Sequence, residues 1–139
     1  MPVHSSDISF RTGGENDIVD ITGDVAKAVL DSGLSDGLAC VFVQGSTGAI
    51  TTLEFEPGLI GDLPRALERI APADGEYQHN LRWQDGNGHS HVRAAILGPG
   101  ITVPFRNGKM LLGTWQQIVF IELDVRPRER QIHVQIIGD

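Results

Sequence analysis

Residues 101–123 read ITVPFRNGKMLLGTWQQIVFIEL, and this stretch decides the fold class. Two runs rich in aliphatic and aromatic residues flank Asn107-Gly108, the strongest short-range signal for a β-hairpin, because a type I′ turn needs positive φ at both central residues. The second run, 109–123, is long for one strand, and Gly113 within it predicts a bulge or kink. The sequence therefore predicts long antiparallel strands in the C-terminal third.

Strand patterns continue on both sides of this hairpin. In 128–137 (RERQIHVQII), apolar and polar residues alternate, which is typical of a strand with one buried face. Upstream, 37–44 (GLACVFVQ) is almost continuously apolar between two glycines, which predicts a strand covered on both faces, with Cys40 as a small buried hydrophobe. A further strand is expected over 48–55 (GAITTLEF).

The N-terminal residues predict a second hairpin and a helix. Strands are expected over 5–12 and 16–22, and Gly13-Gly14 between them can form a tight turn. Thr22 is placed to cap a helix over 24–32, and Gly33 suits the left-handed residue that ends a helix.

Two more helices are expected in the middle of the chain. Four apolar residues recur at helical spacing in 59–70, and Pro64 is compatible with that helix only in its first turn. Asn87 is placed to cap a short helix over 89–97. Between them, 71–86 is polar and irregular, and long loops of this kind often carry function.

Together these patterns predict one α+β domain over residues 1–139, a mostly antiparallel β-sheet or sandwich with two or three helices. A chain of this length buries about two-thirds of its extended surface, which is enough for a core. Because two or three helices do not cover the faces of so much sheet, we also expect an oligomer.

Composition excludes several classes of protein. The net charge is −7 and the isoelectric point is near 5.1, which argues against a nucleic-acid-binding surface. The single cysteine excludes an internal disulfide framework. No apolar run approaches the ~20 residues of a membrane span, and the first residues lack the apolar core of a signal peptide. We therefore expect a cytoplasmic protein with neither nucleic-acid nor membrane partners.

Three of the five histidines lie within thirteen positions of a polar stretch: His79, His89 and His91. Neutral imidazole is a common metal ligand, and it also titrates near neutral pH. The cluster therefore predicts either a metal site or a proton-transfer site. If 89–91 is helical, positions i and i+2 cannot both reach one metal ion, whereas in an extended segment they can.

Two other segments carry candidate ligands. Residues 44–48 (QGSTG) join two predicted strands, and their backbone N–H groups with the Ser46 and Thr47 hydroxyls either bind an anion or form an ordinary turn. Glu54 and Asp62 belong to an acidic cluster that either holds Mg²⁺ or simply marks a solvated strand end and helix start.

These segments, taken in order, resemble the YjbQ-like family of secondary thiamine-phosphate synthases. The resemblance rests on GSTGAITTLE (45–54), Asp62-Leu63, Tyr77-Gln78-His79, GNGHSHVRAAILGPGITVPFRNGKMLLGTWQQI (86–118) and the ending RERQIHVQIIGD (128–139). LGTWQ after a V-P-x-x-x-G hairpin is a specific signature.

The resemblance implies an α+β homotrimer with a polar cleft. It also implies an enzyme that joins a hydroxymethylpyrimidine diphosphate to a thiazole phosphate. The implied catalytic residues are His79, His91 and Glu54. The expected contacts to the phosphorylated substrate are Ser46, Thr47, Asn87, Arg93 and Trp115. The expected ligands of a divalent metal, Mg²⁺ or Zn²⁺, are His79, His89, His91, Glu54 and Asp62.

One position departs from the family pattern. Many members have His-Thr-Thr or His-Thr-Ser where this chain has Gly45-Ser46-Thr47, so a histidine is missing beside His79 and His91. Our hypothesis is that His89 takes its place.

Two alternatives use the same residues. One is a non-catalytic homotrimer that binds a metal or a phosphorylated ligand. The other is a metal-dependent hydrolase, in which a water molecule lies beside His79 and His91 and Glu54 acts as the base.

Overall fold

The computed structural model describes all of residues 1–139 and contains eight strands and four helices. The strands are β1 (Val3–Arg11), β2 (Ile18–Asp20), β3 (Gly37–Val43), β4 (Gly48–Leu53), β5 (Gly100–Arg106), β6 (Lys109–Met110), β7 (Gln117–Glu122) and β8 (Glu129–Gly138). The helices are α1 (Thr22–Ser32), α2 (Pro57–Ile70), α3 (Gln78–Trp83) and α4 (Gly88–Leu97). None of these helices has the length and apolar content of a membrane span.

The strands form two antiparallel sheets, which confirms the predicted α+β class. The larger sheet has the order β1-β8-β3-β5-β6, and the smaller has the order β2-β7-β4. The main core lies between the two sheets and α1, with Phe105, Phe120 and Ile132 among its members. A second core packs the other face of the small sheet against α2 and α4 through Val119, Leu67 and Ala94. The order of layers is therefore large sheet, small sheet, helices.

The hairpin at Asn107-Gly108 is confirmed. Phe105 pairs with Met110 and Arg106 with Lys109, and the two turn residues have φ values of 50° and 73°. The predicted long strand 109–123 is wrong, however, because 111–116 leaves the sheet as a loop and β7 begins at Gln117 in the other sheet. The chain uses this loop to cross between layers.

The predicted N-terminal hairpin is also wrong. β1 pairs along its whole length with β8, at the far end of the chain, and β2 pairs with β7 in the other sheet. Gly13-Gly14 therefore connects two sheets instead of closing a turn within one. Thr22 is the first residue of α1 and not its cap, and its hydroxyl donates to Asp20 (2.6 Å). Gly33 does end α1 in the left-handed conformation, with φ of 70°.

β3 is covered on one face only, contrary to the sequence expectation. Val41 and Val43 are buried in the main core, but Leu38, Cys40 and Phe42 on the opposite face are exposed. The expectation failed because the outer face of the large sheet has no layer over it within the chain.

The middle of the chain contains two helices near the expected positions and one that was not expected. α2 begins at Pro57, and Glu56 caps it by accepting from the backbone N–H groups of Gly58 (2.9 Å) and Leu59 (2.6 Å). Pro64 lies in the interior of α2, so burial of Leu67 outweighs the loss of one backbone hydrogen bond. The loop 71–86 contains the short helix α3.

Candidate functional site

Two histidines meet where α3 faces the start of α4. His79 lies in the first turn of α3 and His91 in the first turn of α4, and their ring centroids are 4.5 Å apart. Both side chains are partly buried. α3 buries none of its residues completely, so His79 is held mainly by polar contacts.

Asp85 and Asn87 supply those polar contacts to His79. Nε2 of His79 lies 3.2 Å from a carboxylate oxygen of Asp85 and 3.0 Å from the Asn87 amide. The amide has two useful orientations. In one, its oxygen accepts from His79 and its nitrogen donates to Asp124 (3.4 Å); in the other, its nitrogen donates to Asp85 (2.9 Å) and to Nε2. Asn87 precedes α4 as predicted, but its side chain serves the histidine instead of capping the helix.

Electrostatics keep His91 neutral. Burial lowers the pKa of His91 below 6.5, and the neighbouring His79 lowers this pKa further. The negative charges of Asp85 and Asp124 oppose both effects without cancelling them. At neutral pH His91 is therefore neutral.

Asp124, just after β7, anchors the site to the core. Its almost fully buried carboxylate accepts from the Thr47 hydroxyl (3.1 Å), from Arg128 (2.8 Å) and from the Val125 backbone N–H (2.8 Å). Burial alone would raise the pKa of Asp124, but the hydrogen bonds and the Arg128 charge outweigh it and lower this pKa. Asp124 is therefore a fixed negative charge beside Asn87 and His91.

A buried ion pair lies beneath Asp124. Nε of Arg130 donates to Glu122 (2.8 Å), and its Nη2 donates to the other Glu122 oxygen and to the Thr47 hydroxyl (3.0 Å). Thr12 also donates to Glu122 (2.8 Å). Arg130 and Glu122 are both inaccessible or nearly so. With the Asn87 amide oxygen towards His79, polar contacts run from the core through Thr47, Asp124 and Asn87 to His79.

A cavity of ≈210 Å³ opens beside His91. Its walls are the turn before β4 and one side of α4: Gly45, Ser46, Gly48, His91, Ala94, Ala95 and Pro99. A larger open depression of ≈550 Å³, between the ends of β1 and β8, is lined in part by Arg130 but by none of the site residues predicted from the sequence. The small cavity, not the large one, is therefore the candidate ligand site.

His89 does not join the histidine pair. It lies in α4, where residues i and i+2 point in different directions, and its Nε2 contacts Glu15. Its ring is buried and lies near Tyr77, with centroids 6.3 Å apart. The hypothesis that His89 replaces the missing family histidine is therefore wrong for this chain.

The two predicted acidic ligands also lie apart from the histidines. Asp62 is exposed on α2 and pairs with Arg65, and Glu54 is exposed after β4 without a side-chain hydrogen bond. No group of three or more His, Cys, Asp or Glu side chains is arranged to hold a metal ion. The five expected metal ligands therefore do not fit one metal site within the chain.

Four expected substrate contacts have different surroundings. Arg93 is buried, and its guanidinium donates to the Ala71 carbonyl (2.9 Å) and to Glu68 (2.7 Å), so it braces the end of α2 instead of facing the cavity. The Thr47 hydroxyl is already used by Asp124 and Arg130. Ser46 lines the cavity, and Trp115 is exposed in the loop 111–116. No local pattern in the sequence signals Asp85, Asp124 or Arg130, because the tertiary fold brings them to the site.

Comparison with known proteins identifies a family model and several relatives that are similar to this chain. A family model described as "UPF0047 protein YjbQ-like" matches residues 6–139. A UPF0047 protein of Methanothermobacter thermautotrophicus is 42% identical over 138 residues, which cover 99% of this chain and 94% of the relative. The UPF0047 protein YugU of Bacillus subtilis is 29% identical, with 94% of this chain and 97% of the relative covered.

Solved structures share the whole fold. A crystal structure of a YbjQ-like protein of unknown function from Sulfolobus solfataricus superposes with a TM-score of 0.93, at 37% identity and 99% coverage of both chains. A YjbQ/UPF0047 protein from Clostridium acetobutylicum gives a TM-score of 0.86 at 38% identity, covering 95% of this chain and 99% of that chain.

Proposed function

The chain belongs to the UPF0047 YjbQ-like family, and on that premise we propose that it is a secondary thiamine-phosphate synthase. In this reaction the thiazole nitrogen attacks the methylene carbon of hydroxymethylpyrimidine diphosphate. A C–N bond forms, the C–O bond to diphosphate breaks, and the electron pair of the broken bond leaves on the diphosphate.

The histidine pair beside the small cavity is the observation that carries the proposal. Loss of diphosphate needs a donor at the departing oxygen and substrates held in line. Nε2 of His79 lies 3.2 Å from an oxygen of Asp85, and His91 is neutral because burial and the neighbouring His79 lower its pKa. We assign His79 to donate a hydrogen bond to the departing oxygen, and we assign His91 to contact with the substrate in the cavity that it lines.

Asn87 and Asp124 are positioning residues in this proposal. Asn87 bonds His79 in both of its amide orientations, and in the orientation whose oxygen faces His79 its nitrogen also donates to Asp124. Because Asp124 is tied to β7 and to Arg128, the orientation of His79 depends on the core. The proposed chemistry therefore needs this network as well as the two histidines.

We also propose that the chain is a cytoplasmic homotrimer, with the outer face of the large sheet as the interface between subunits. Val3, Ile137, Leu38 and Pro104 lie side by side across four strands of that face. Val3, Leu38 and Ile137 are each more than a third exposed, as is Phe42 nearby. Exposed apolar rows of this kind usually mark an interface with another protein.

The interface is tested by measuring molar mass with light scattering during gel filtration. We expect Leu38→Lys to convert trimers to monomers. Leu30→Lys, which changes an equally apolar exposed residue on α1, is expected to leave the trimer intact. A monomeric wild-type protein, or a trimeric Leu38→Lys variant, would contradict the proposed interface.

Complementation tests the proposed activity. We expect the wild-type chain to rescue a thiamine-phosphate-synthase-deficient strain, and His79→Gln and His91→Gln to fail while remaining folded. His4→Gln, which changes a histidine of β1 outside the site, is the matched control. Rescue by both site variants would refute the site, and no rescue by the wild type would favour a binding protein without turnover.

A further inference from the structure

The turn between β3 and β4 presents backbone donors that the chain does not use. The backbone N–H groups of Gly45, Ser46 and Thr47 donate to no group of the protein. Gly45 has φ of 119°, a conformation that side-chain-bearing residues rarely adopt. Consecutive free N–H groups in such a turn form a concave site for an anion.

A cationic nitrogen lies against the same turn. Nε and Nη2 of Arg130 are occupied by Glu122 and Thr47, but Nη1 makes no hydrogen bond within the chain. A Cβ built on Gly45 would stand 3.2 Å from Nη1 and within 4 Å of nothing else. The space beside Gly45 is therefore open, and it lies at hydrogen-bonding distance from a guanidinium.

Arg130 cannot turn away from this position. Its side chain is almost completely buried, its guanidinium lies 5.7 Å from the Phe120 ring centroid, and two of its nitrogens are fixed by Glu122. Gly48, at the end of the turn, brings the backbone so close that a Cβ would lie 2.7 Å from Phe120. The turn and the guanidinium are thus held together by the core.

We infer that this turn and Arg130 form an oxyanion subsite that takes a phosphate or diphosphate group. Three N–H groups and Nη1 supply at least four donors, which suits a tetrahedral phosphate better than a two-oxygen carboxylate. Gly45 and Ser46 also line the cavity that contains His91, so the subsite adjoins the histidine pair. We assign to Arg130 the phosphate contact that was expected of Arg93.

This inference rests on the proposed function only for the identity of the molecule that carries the phosphate. In a synthase the subsite would hold the diphosphate while its C–O bond breaks beside His79. Binding of inorganic phosphate or diphosphate needs no turnover, so the subsite is testable by itself. Phosphate binding without synthase activity would leave the subsite in place and refute the proposed function alone.

The test follows backbone amide signals by ¹⁵N–¹H NMR while phosphate, diphosphate or acetate is added to the wild-type protein. We expect saturable shifts of the Gly45, Ser46 and Thr47 signals with phosphate and diphosphate, and much weaker effects with acetate. Gly45→Ala should weaken binding at least about tenfold, because its methyl group fills the space beside Nη1.

Gly33→Ala is the matched control. It also places alanine at a positive φ, but no atom lies near its Cβ and it is remote from the turn. Unchanged phosphate affinity is expected for this variant. The inference is overturned if phosphate shifts none of the three wild-type signals, if acetate binds equally well, or if Gly45→Ala binds phosphate as tightly as the wild type. The titration of the wild-type protein needs no variant, so it tests the subsite even if Gly45→Ala does not fold.

Discussion

Replacing Asp124 by asparagine should lower the free energy of unfolding by about 2–3 kcal/mol at neutral pH. Asparagine keeps the size of the side chain and one acceptor oxygen. It removes the charge that faces Arg128 at 2.8 Å, and it places an NH₂ group where the carboxylate accepts from both Arg128 and Thr47. Arg128 is partly solvated, which keeps the loss below that of a fully buried ion pair.

The pH dependence of this loss has a definite sign. The pKa of Asp124 in the folded chain is below its ordinary value of 3.8, so the carboxylate stabilises the fold fully above that value. Its contribution disappears as the pH falls through the lower folded pKa. The difference between wild type and Asp124→Asn should therefore be largest above about pH 4 and shrink towards pH 2.

Urea unfolding at fixed protein concentration, repeated across this pH range, measures both effects. Asp62→Asn is the control, because Asp62 also faces an arginine but is exposed on α2, and it should cost less than about 1 kcal/mol. Asp124 does not stabilise the fold as described if Asp124→Asn stays within about 0.5 kcal/mol of wild type at pH 7, or if the deficit does not change with pH.

Three further predictions concern the site and its frame. His79→Gln should raise the pKa of His91 towards 6.5, because His79 contributes to lowering that pKa. NMR titration of the His91 ring measures the change. An unchanged or lower pKa would contradict the described contact between the two histidines. Arg93→Ala should lower the free energy of unfolding in urea by about 3 kcal/mol, because it empties a buried volume and leaves the Ala71 carbonyl without its donor; a loss below about 1 kcal/mol would contradict this. Gly61→Ala, whose Cβ contacts no atom, should stabilise α2 by up to about 1 kcal/mol. The Cβ of Gly37→Ala would lie 2.2 Å from the Ile137 carbonyl oxygen, so this variant should destabilise the sheet by more than about 3 kcal/mol. Thermal unfolding compares the two variants, and a Gly37→Ala protein more stable than Gly61→Ala would contradict the described packing.

Local signals in the sequence predicted local structure well. Asn107-Gly108 formed its hairpin, Gly33 ended α1, and the alternation in 128–137 became β8. These features depend on residues close in the chain. The N-terminal hairpin failed because β1 pairs with β8 across most of the chain length, and no local pattern reports that pairing.

The candidate site likewise combines residues that local patterns signalled with residues that only the fold brings together. His79 and His91 were expected to act together, and they meet across α3 and α4. Asp124 follows a strand and Arg130 lies in an alternating one, and no local pattern distinguishes either from other charged residues. Both are buried because β7 and β8 bring them under the turn before β4, a consequence of topology that no residue pattern signals.

We propose that the histidine pair promotes loss of diphosphate from the pyrimidine substrate. The most direct measurement is diphosphate release by purified protein given hydroxymethylpyrimidine diphosphate and thiazole phosphate. We predict release matched by thiamine-phosphate formation for wild type and His4→Gln, and a fall of at least about a hundredfold for His79→Gln and His91→Gln. Equal rates in all four proteins, or no release by the folded wild type, would contradict the claim.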